Sequence, residues 1–479
     1  MLFITFQFAI FFLALLLLLR LLASRRSLWN PVLLGASLVF YALWIPALLP
    51  LLLADIGVNY ALLRGITASE PRSPRRRAYL TGSIVFTISL LLYFKYAAFL
   101  VESALPFLGQ LAVDLPVPDI LLPLGISFYS FQIVSLAVDT YREDGPPVEG
   151  LAQYALYVAF FPQLIAGPIL RGRELLPQLS AGARPNPDRF RRGAWLLALG
   201  VAKKVILADF LLAPFADSVF EVPGIANARF HWIAVYAFAF QIYFDFSGYT
   251  DMARGLALWL GFELPENFHE PYLARSPAEF WQRWHMTLTR WLRLYLFVPI
   301  SRGLLRRAGG GRRDRWLLAF AQLLTLSICG LWHGAGWHFV VWGLLQGVLL
   351  VVWPTPRRAS DPDRLRGSDV PKILFFFHVF CLTLVFFRAP DLPAAADFLG
   401  ALFVPGELGG WPRLAAAAVA LSALLHVAER LLRLRSGQVQ AWFAARPARA
   451  YLEATLFGLV VGAAIMVSGA GGEFIYFQF

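Results

Sequence analysis

Cysteine is nearly absent from this sequence, with two residues among 479. Cys329 and Cys381 both lie inside apolar segments. Two isolated thiols provide neither a disulfide framework nor the spacing of a zinc site. No His, Asp and Glu set elsewhere has convincing ligand spacing, so no metal site is expected.

Charged residues are also scarce, at 15%, whereas hydrophobic residues make up 58%. Soluble domains are about 45–50% apolar, so this composition excludes an ordinary soluble protein. The net charge of +12 does not indicate nucleic-acid binding. The arginines stand in short loops between apolar segments, where they act as topology signals. We therefore expect an all-α polytopic integral membrane protein.

Three further features are missing. The stretch Leu2–Leu22 lacks the basic start and cleavage site of a signal peptide, so it is expected to be a retained span. There is no low-complexity linker, which favours one integral membrane domain over residues 1–479. There is also no internal repeat, although many transporters have two related halves. A transporter with a proton-coupled histidine pair therefore remains only an alternative.

Long apolar segments recur along the chain and predict its helices. They lie near residues 2–22, 29–45, 46–63, 78–101, 118–139, 151–170, 194–215, 229–249, 316–333, 336–353, 373–388, 411–430 and 450–468. The arginine-rich loops at 64–77, 171–192, 302–315, 357–372 and 430–449 are expected to be cytoplasmic, and those at 102–117, 216–228 and 390–410 to face outward.

The segment 151–170 breaks this alternation, because both of its flanks read as cytoplasmic. It contains Pro162, Gly167 and Pro168. Broken backbone at membrane depth must be buried in protein, so a re-entrant segment is expected. This leaves about twelve crossings with both termini outside.

Ser276-Pro277-Ala278-Glu279 has the pattern of a capping box with a helix-start proline. The following residues, 280–295, predict an amphipathic helix with an aromatic face and an arginine face. His285 stands at the edge of the aromatic face, which favours a functional role. For the arginines, a helix lying on the membrane surface is the favoured interpretation.

His333 lies near the end of a span that begins after Arg315. Eighteen residues at about 1.5 Å each place it roughly 27 Å into the membrane. Gly330, Gly334 and Gly336 are expected to let a substrate chain approach closely. A neutral, desolvated imidazole beside a hydroxyl is a general base. The alternative is a core histidine tied to a carbonyl.

Other polar residues indicate a substrate path. Candidate channel residues are Asp245, Ser247, Tyr249, Trp284 and Trp332. The alternative for the acids is structural, with Asp245 pairing an arginine and Asp251 capping a helix. Candidate phosphate-binding residues for a phosphorylated carrier are Arg171, Lys203, Lys204, Arg283 and Arg290. For the lysines, snorkelling side chains at the interface are equally compatible.

Several of these stretches resemble the membrane-bound O-acyltransferase superfamily, and most closely its bacterial alginate O-acetyltransferase branch. The matching stretches are 161–168, 243–253, 266–268, 271–272, 279–285, Trp291, 332–335 and 474–479, and the core of the resemblance covers about 120–345. It implies a ring of helices around a thin centre, with about twelve crossings plus re-entrant and amphipathic helices.

The resemblance also implies a chemistry. His333 matches the catalytic histidine of the family, and His285 matches its second polar position. The co-substrate would be acetyl-CoA, with no cofactor bound permanently. The acetyl group would go to an exported polysaccharide of the alginate, cellulose or peptidoglycan type, directly or through a periplasmic SGNH-type partner working with the synthesis machinery. The expected location is the bacterial inner membrane, with both termini periplasmic, in contact with lipid and not with nucleic acid. D-alanyl transfer to teichoic acid is the alternative within the family.

Overall fold

In the computed structural model of this chain, all regular secondary structure among the described residues is helical. The structure describes residues 3–108, 116–221, 227–306, 311–353, 364–405, 410–435, 438 and 449–467. The all-α class predicted from the apolar segments is confirmed for these residues.

The α-helices follow one another through short connections. They are α1 Phe6–Leu21, α2 Trp29–Ala42, α3 Leu49–Ala68, α4 Pro74–Leu91, α5 Ala97–Leu108, α6 Ile126–Tyr141, α7 Leu151–Ala159, α8 Phe161–Leu164, α9 Gly172–Ala181, α10 Pro187–Val201, α11 Ala213–Phe220, α12 Ala228–Trp259, α13 Pro277–Trp281, α14 Met286–Leu292, α15 Val298–Leu305, α16 Arg312–His333, α17 Trp337–Val352, α18 Val370–Arg388, α19 Leu392–Ala401, α20 Gly410–Leu434 and α21 Arg449–Val467.

Some helical segments depart from α geometry. Leu92–Tyr96, Ala202–Leu212 and Arg293–Phe297 are π-helical, with hydrogen bonds to the fifth residue along the chain. Short 3₁₀ turns occur at Arg26–Leu28, Pro46–Leu48, Pro271–Leu273 and Gly367–Asp369. The π segment Ala202–Leu212 contains both candidate lysines.

Five helical stretches among the described residues are long and apolar enough to cross a membrane. They are Pro46–Ala68, Pro74–Pro106, Arg313–His333, Gly367–Arg388 and Arg413–Leu434. Other apolar helices, such as Phe6–Leu21 and Trp337–Val352, are shorter. The chain therefore has several membrane-length helices, and the figure of about twelve crossings stays a prediction.

The apolar segments and the helices coincide closely, except in three places. The segment 118–139 becomes helical only at Ile126, where α6 begins. The segment 151–170 forms the buried short helices α7 and α8, and the nine residues of α7 rise only about 13.5 Å, too little to cross hydrocarbon. The span expected to end near 249 instead continues as α12 to Trp259. Parts of the loops at 102–117, 216–228, 302–315, 357–372, 390–410 and 430–449, and all of 474–479, lie outside the described residues.

The chain forms two compact units. Unit 1 consists of Met1–Leu197 and Met252–Pro265, and unit 2 of Ala198–Asp251 and Glu266–Phe479. In unit 1, α3 packs on α4, α4 packs on α6, and α2 packs on α7. Its core includes the rings of Phe40 and Phe161, whose centroids are 5.4 Å apart.

In unit 2, α16 and α17 form a tightly packed pair. A Cβ on Gly330 would clash with the Phe339 carbonyl oxygen and lie 3.0 Å from Gly343 Cα. Likewise, a Cβ on Gly334 would meet the Phe339 ring, and one on Gly336 would meet the His338 ring. The expectation that these glycines open room for a substrate chain was wrong. They are small because the helix α17 and its side chains already fill the space.

Candidate active site

His333 is the last residue of α16 and is 3% exposed. Its Nδ1 lies 2.7 Å from the carbonyl oxygen of Cys329, one turn earlier in the helix. A carbonyl oxygen only accepts hydrogen bonds, so Nδ1 carries the proton and donates it. In the neutral ring, Nε2 is then the basic nitrogen. The carbonyl contact that defined the structural alternative for His333 is present, and it fixes the tautomer that a general base needs.

His285 is fully buried and has an unusual backbone. Its φ of 41° and ψ of 52° lie in the left-handed region, immediately before α14. For a residue other than glycine such a conformation costs of order 1–3 kcal/mol, and it is often found at active sites. The helix expected over 280–295 is therefore interrupted: α13 ends at Trp281, and the chain turns at His285 before α14 begins.

Asn267 explains both the turn and the ring state of His285. Its Oδ1 accepts from the Thr287 backbone N–H at 3.1 Å and lies 3.2 Å from His285 Nδ1. A backbone N–H can only donate, so this atom must be the amide oxygen, and His285 Nδ1 must donate to it. Nε2 of His285 is left as the acceptor, buried and without a hydrogen-bond partner among the described residues.

The two histidines are electrostatically coupled. Burial, together with the charge that His333 would carry, lowers the pKa of His285 well below its ordinary value of 6.5. His285 is thus neutral at physiological pH. An oxyanion-stabilising donor role for this ring would require a protonated Nε2, so the geometry favours an acceptor role instead.

Aromatic side chains enclose both rings. Trp332 lies 5.0 Å from the His333 ring and 6.2 Å from the His285 ring, between centroids. Phe246 meets the His285 ring edge-on at 4.7 Å. Phe268 contacts His285 at 6.4 Å and Trp284 at 5.1 Å. Of the predicted channel residues, Trp332 therefore lies at the histidines and Trp284 one ring farther away.

The remaining channel candidates lie on α12 and are buried. Asp245, Ser247 and Tyr249 are each 2% exposed. Asp245 pairs with Lys204 at 2.8 Å, so a lysine is one of its partners. Asp251 lies inside α12 and pairs with Lys203, so it does not cap a following helix.

Lys203 and Lys204 are held by carboxylates. Lys203 contacts Asp251 at 2.8 Å and Glu429 at 2.7 Å. Lys204 contacts Asp209 at 2.9 Å as well as Asp245. The π winding explains the pairing of residues five apart, which would not face each other on an α-helix. Both ammonium groups are buried and paired with carboxylates, so they do not snorkel. A phosphate would have to displace these carboxylates to reach them.

The arginines of the 280–295 segment have different environments. Arg283 is 1% exposed, pairs with Glu279 at 2.8 Å and donates to the His269 carbonyl at 3.2 Å. The expectation of a surface position was wrong for Arg283, because the turn at His285 carries it inward. Burial acts to raise the pKa of Glu279, but the bonds and charges of Arg275 and Arg283 outweigh it and lower that pKa. Arg290, on α14, is exposed.

Arg171 lies in unit 1, directly before α9. Glu174 Oε2 accepts from the Arg171 backbone N–H at 2.9 Å, and the two side chains are 3.8 Å apart. These contacts stabilise the start of α9. A role of Arg171 in phosphate binding stays a prediction.

Sequence reasoning missed two groups of residues. Asn267 was noticed only as part of a matching stretch, and the Thr287 contact that gives it a role joins residues 20 positions apart. Glu429 and His426 lie far along the chain on α20, where hydropathy indicates only a span. Glu429 accepts from Tyr243 Oη at 2.8 Å and contacts His426 Nδ1 at 3.3 Å.

Comparison with known proteins places these features in a family. The model of the membrane-bound O-acyltransferase family, MBOAT, matches residues 126–354. The probable alginate O-acetylase AlgI of Azotobacter vinelandii is 39% identical over 382 residues, which are 79% of this chain and 73% of that protein.

Two further relatives differ in their named acceptor. The peptidoglycan O-acetyltransferase of Helicobacter pylori is 36% identical over 394 residues, or 76% of this chain and 72% of that protein. The teichoic acid D-alanyltransferase of Streptococcus thermophilus is 28% identical over 260 residues, or 52% and 61%. By identity over most of its length, the chain belongs to the membrane-bound O-acyltransferase family and is a membrane-spanning acyltransferase.

Proposed function

We propose that this protein moves acetyl groups from cytoplasmic acetyl-CoA to the O-acetylation of an exported polysaccharide. The observation that carries the proposal is the hydrogen bond from His333 Nδ1 to the Cys329 carbonyl, at 2.7 Å. It leaves a basic Nε2 on a buried imidazole, in a family whose function is acyl transfer. The acceptor is a hydroxyl, presented by the polysaccharide itself or by a periplasmic SGNH-type partner.

The reaction follows from that tautomer. The acceptor hydroxyl attacks the thioester carbon while its proton passes to His333 Nε2. A carbon–oxygen bond forms and the carbon–sulfur bond breaks. The departing thiolate takes the proton back from the imidazolium, which restores the neutral ring and releases coenzyme A. General-base catalysis of this kind contributes on the order of 10²–10⁴-fold.

His285 supports this step as a hydrogen-bond acceptor. Its Nε2 is suited to receive an N–H or O–H of the bound substrates, while Asn267 holds the ring in place. Holding a reactant at the correct angle is a large part of enzymatic acceleration. Among the cationic candidates, Arg290 fits the phosphates of acetyl-CoA best, because it is exposed whereas Arg283, Lys203 and Lys204 are buried against carboxylates.

Acetate is favoured over D-alanine as the transferred group. The relatives named for O-acetyl transfer are 36–39% identical and match over about three quarters of the chain. The D-alanyltransferase of S. thermophilus matches only 52% of it, at 28% identity. We place the protein in the bacterial inner membrane, with both termini periplasmic, as the charge distribution of its loops predicts.

Ester analysis of cells tests the proposal. A strain without its other O-acetyltransferases should carry ester-linked acetate on its exported polysaccharide when it produces the wild-type protein, and none when it produces His333→Ala at the same membrane level. His378→Ala is the matched control, since His378 makes the same contact to a carbonyl four residues earlier but is exposed. Recovery of alanine in place of acetate would contradict the acetyl assignment.

A further inference from the structure

Acyl transfer also needs a hydrogen-bond donor, and neither histidine supplies one. As the hydroxyl adds to the thioester, negative charge develops on the carbonyl oxygen, and enzymes place donors where that charge forms. His333 donates its ring N–H to the Cys329 carbonyl oxygen, and His285 donates its ring N–H to Asn267 Oδ1. Their remaining nitrogens accept. The need for such a donor rests on the proposed function.

Trp342 has an uncommitted donor beside His333. The side chain is 2% exposed, and its Nε1 has no hydrogen-bond partner among the described residues. Indole nitrogen is a donor only. Buried donors are nearly always paired because desolvation is costly, so an unpaired one asks for an explanation. A bound ligand whose acceptor atom pairs with the Nε1–H explains why this donor has no partner in the protein.

The position of Trp342 is well determined. Its ring centroid lies 5.1 Å from that of His333, at an interplanar angle of 82°. Phe387 contacts both rings, at 5.0 Å from Trp342 and 5.5 Å from His333. The next residue, Gly343, faces Gly330 of α16, and a Cβ added to Gly343 would lie 3.0 Å from Gly330 Cα. The tight helix pair therefore fixes the indole relative to the catalytic ring, as preorganised stabilisation requires.

We propose that the Trp342 Nε1–H donates to the carbonyl oxygen of the acyl group and stabilises the oxyanion. When the hydroxyl oxygen bonds to the carbon, the carbonyl electron pair moves onto this oxygen, which accepts from the indole. The pair returns as the carbon–sulfur bond breaks, and the thiolate leaves with the proton held by His333. The ring of Trp281 lies 6.3 Å from that of Trp342, between centroids.

Substitution of the donor tests this role. Trp342→Phe keeps an aromatic ring, and benzothienylalanine at the same position keeps the full shape with sulfur in place of N–H. In purified protein with acetyl-CoA and acceptor, kcat should fall on the order of 10²-fold for both. The thermal midpoint should hold for the benzothienyl variant, since no protein hydrogen bond is lost.

The matched control is Trp29→Phe in unit 1. Trp29 is 8% exposed and its Nε1 donates to the Leu22 carbonyl at 3.1 Å. This variant should lower the thermal midpoint and leave kcat unchanged, the opposite of the expected result at Trp342.

Two outcomes would overturn the inference. One is a wild-type kcat in the benzothienyl variant. The other is a loss of kcat in step with a lowered thermal midpoint, which would indicate a packing role. The proposed function fails separately, if the wild-type protein does not cleave acetyl-CoA at all, or if His333→Ala cleaves it as fast.

Discussion

Single side chains in this protein draw their properties from hydrogen bonds to their neighbours. His333 and His285 each donate from Nδ1 to an oxygen of the protein, and each thereby presents a basic Nε2. For His333 the sequence leaves a general base and a carbonyl-tied core histidine as alternatives. In the structure both descriptions apply to the same ring: Nδ1 is bonded to the carbonyl oxygen, and Nε2 is the basic nitrogen. The tautomer depends on which oxygen lies within reach, and that is a property of the fold.

The neutral state of His285 predicts a pH dependence of stability. Its pKa is about 6.5 when the chain is unfolded and well below that in the fold. Above pH 6.5 neither state binds the proton, so this contribution is constant. Below pH 6.5 the unfolded chain binds the proton more readily than the folded protein does, so stability falls as the pH decreases.

His285→Asn removes this titration, and asparagine tolerates the left-handed backbone. Thermal unfolding in detergent at pH 7 and pH 5 is the measurement. The wild-type midpoint should drop further on acidification than that of His285→Asn, while His378→Asn should behave as the wild type does. Equal drops in all three proteins would show that His285 is not held neutral by burial.

The exposed Arg290 predicts a binding effect without a catalytic one. Charge-assisted hydrogen bonds are worth about 1.5–3 kcal/mol, so Arg290→Ala should raise the KM for acetyl-CoA roughly ten-fold or more with kcat unchanged. Arg315→Ala, which removes another exposed arginine of unit 2, should leave KM unchanged. An unchanged KM in Arg290→Ala, or an equal rise in both variants, would contradict the assignment.

At the scale of elements, close helix packing and irregular windings position the site. Gly330 and Gly343 let α16 and α17 approach until a Cβ would meet the backbone of the partner helix. The π segment Ala202–Leu212 turns Lys204 toward Asp209, and Asn267 Oδ1 accepts from the Thr287 backbone N–H in the first turn of α14, directly after the turn at His285. The apolar segments predict where most helices lie. They do not reveal the turn at His285, since its cause is a contact from a distant stretch of chain.

Enlarging Gly330 should disturb both stability and activity. In Gly330→Ala the added methyl must push α17 away, which costs about 1–3 kcal/mol, and it shifts His333 three residues later. The measurements are the thermal midpoint and acetyl transfer, and both should fall. Gly35→Ala is the control in α2, where no atom lies within 4 Å of the new methyl.

Gly35→Ala should be neutral or stabilising, by about 0.5–1 kcal/mol, because glycine is a poor helix former. Loss of stability in Gly35→Ala equal to that in Gly330→Ala would mean that helix propensity, and not the close approach of α16 and α17, explains the effect.

At the scale of the whole molecule, a chain of 479 residues with 58% hydrophobic composition still buries a dense set of charges. Composition and the matching stretches predict a membrane acyltransferase with two functional histidines, and the family comparison confirms the acyltransferase class. Charge pairing could not be predicted in the same way. Lys203 and Asp251 form an ion pair although they are 48 positions apart in the sequence. In the sequence alone each is an isolated charge at an apolar segment, which is compatible with a binding role as well as a structural one.

The molecule is proposed to pass an acetyl group across the membrane at His333, and sidedness is the most direct test. Inverted membrane vesicles, with the cytoplasmic face outward, would receive external acetyl-CoA labelled in the acetyl group, with the acceptor polysaccharide and partner inside. Wild-type protein and His378→Ala should transfer label to the enclosed acceptor, and His333→Ala should transfer none at equal protein level. Transfer by His333→Ala at the wild-type rate would contradict the central claim that the neutral His333 ring catalyses the reaction.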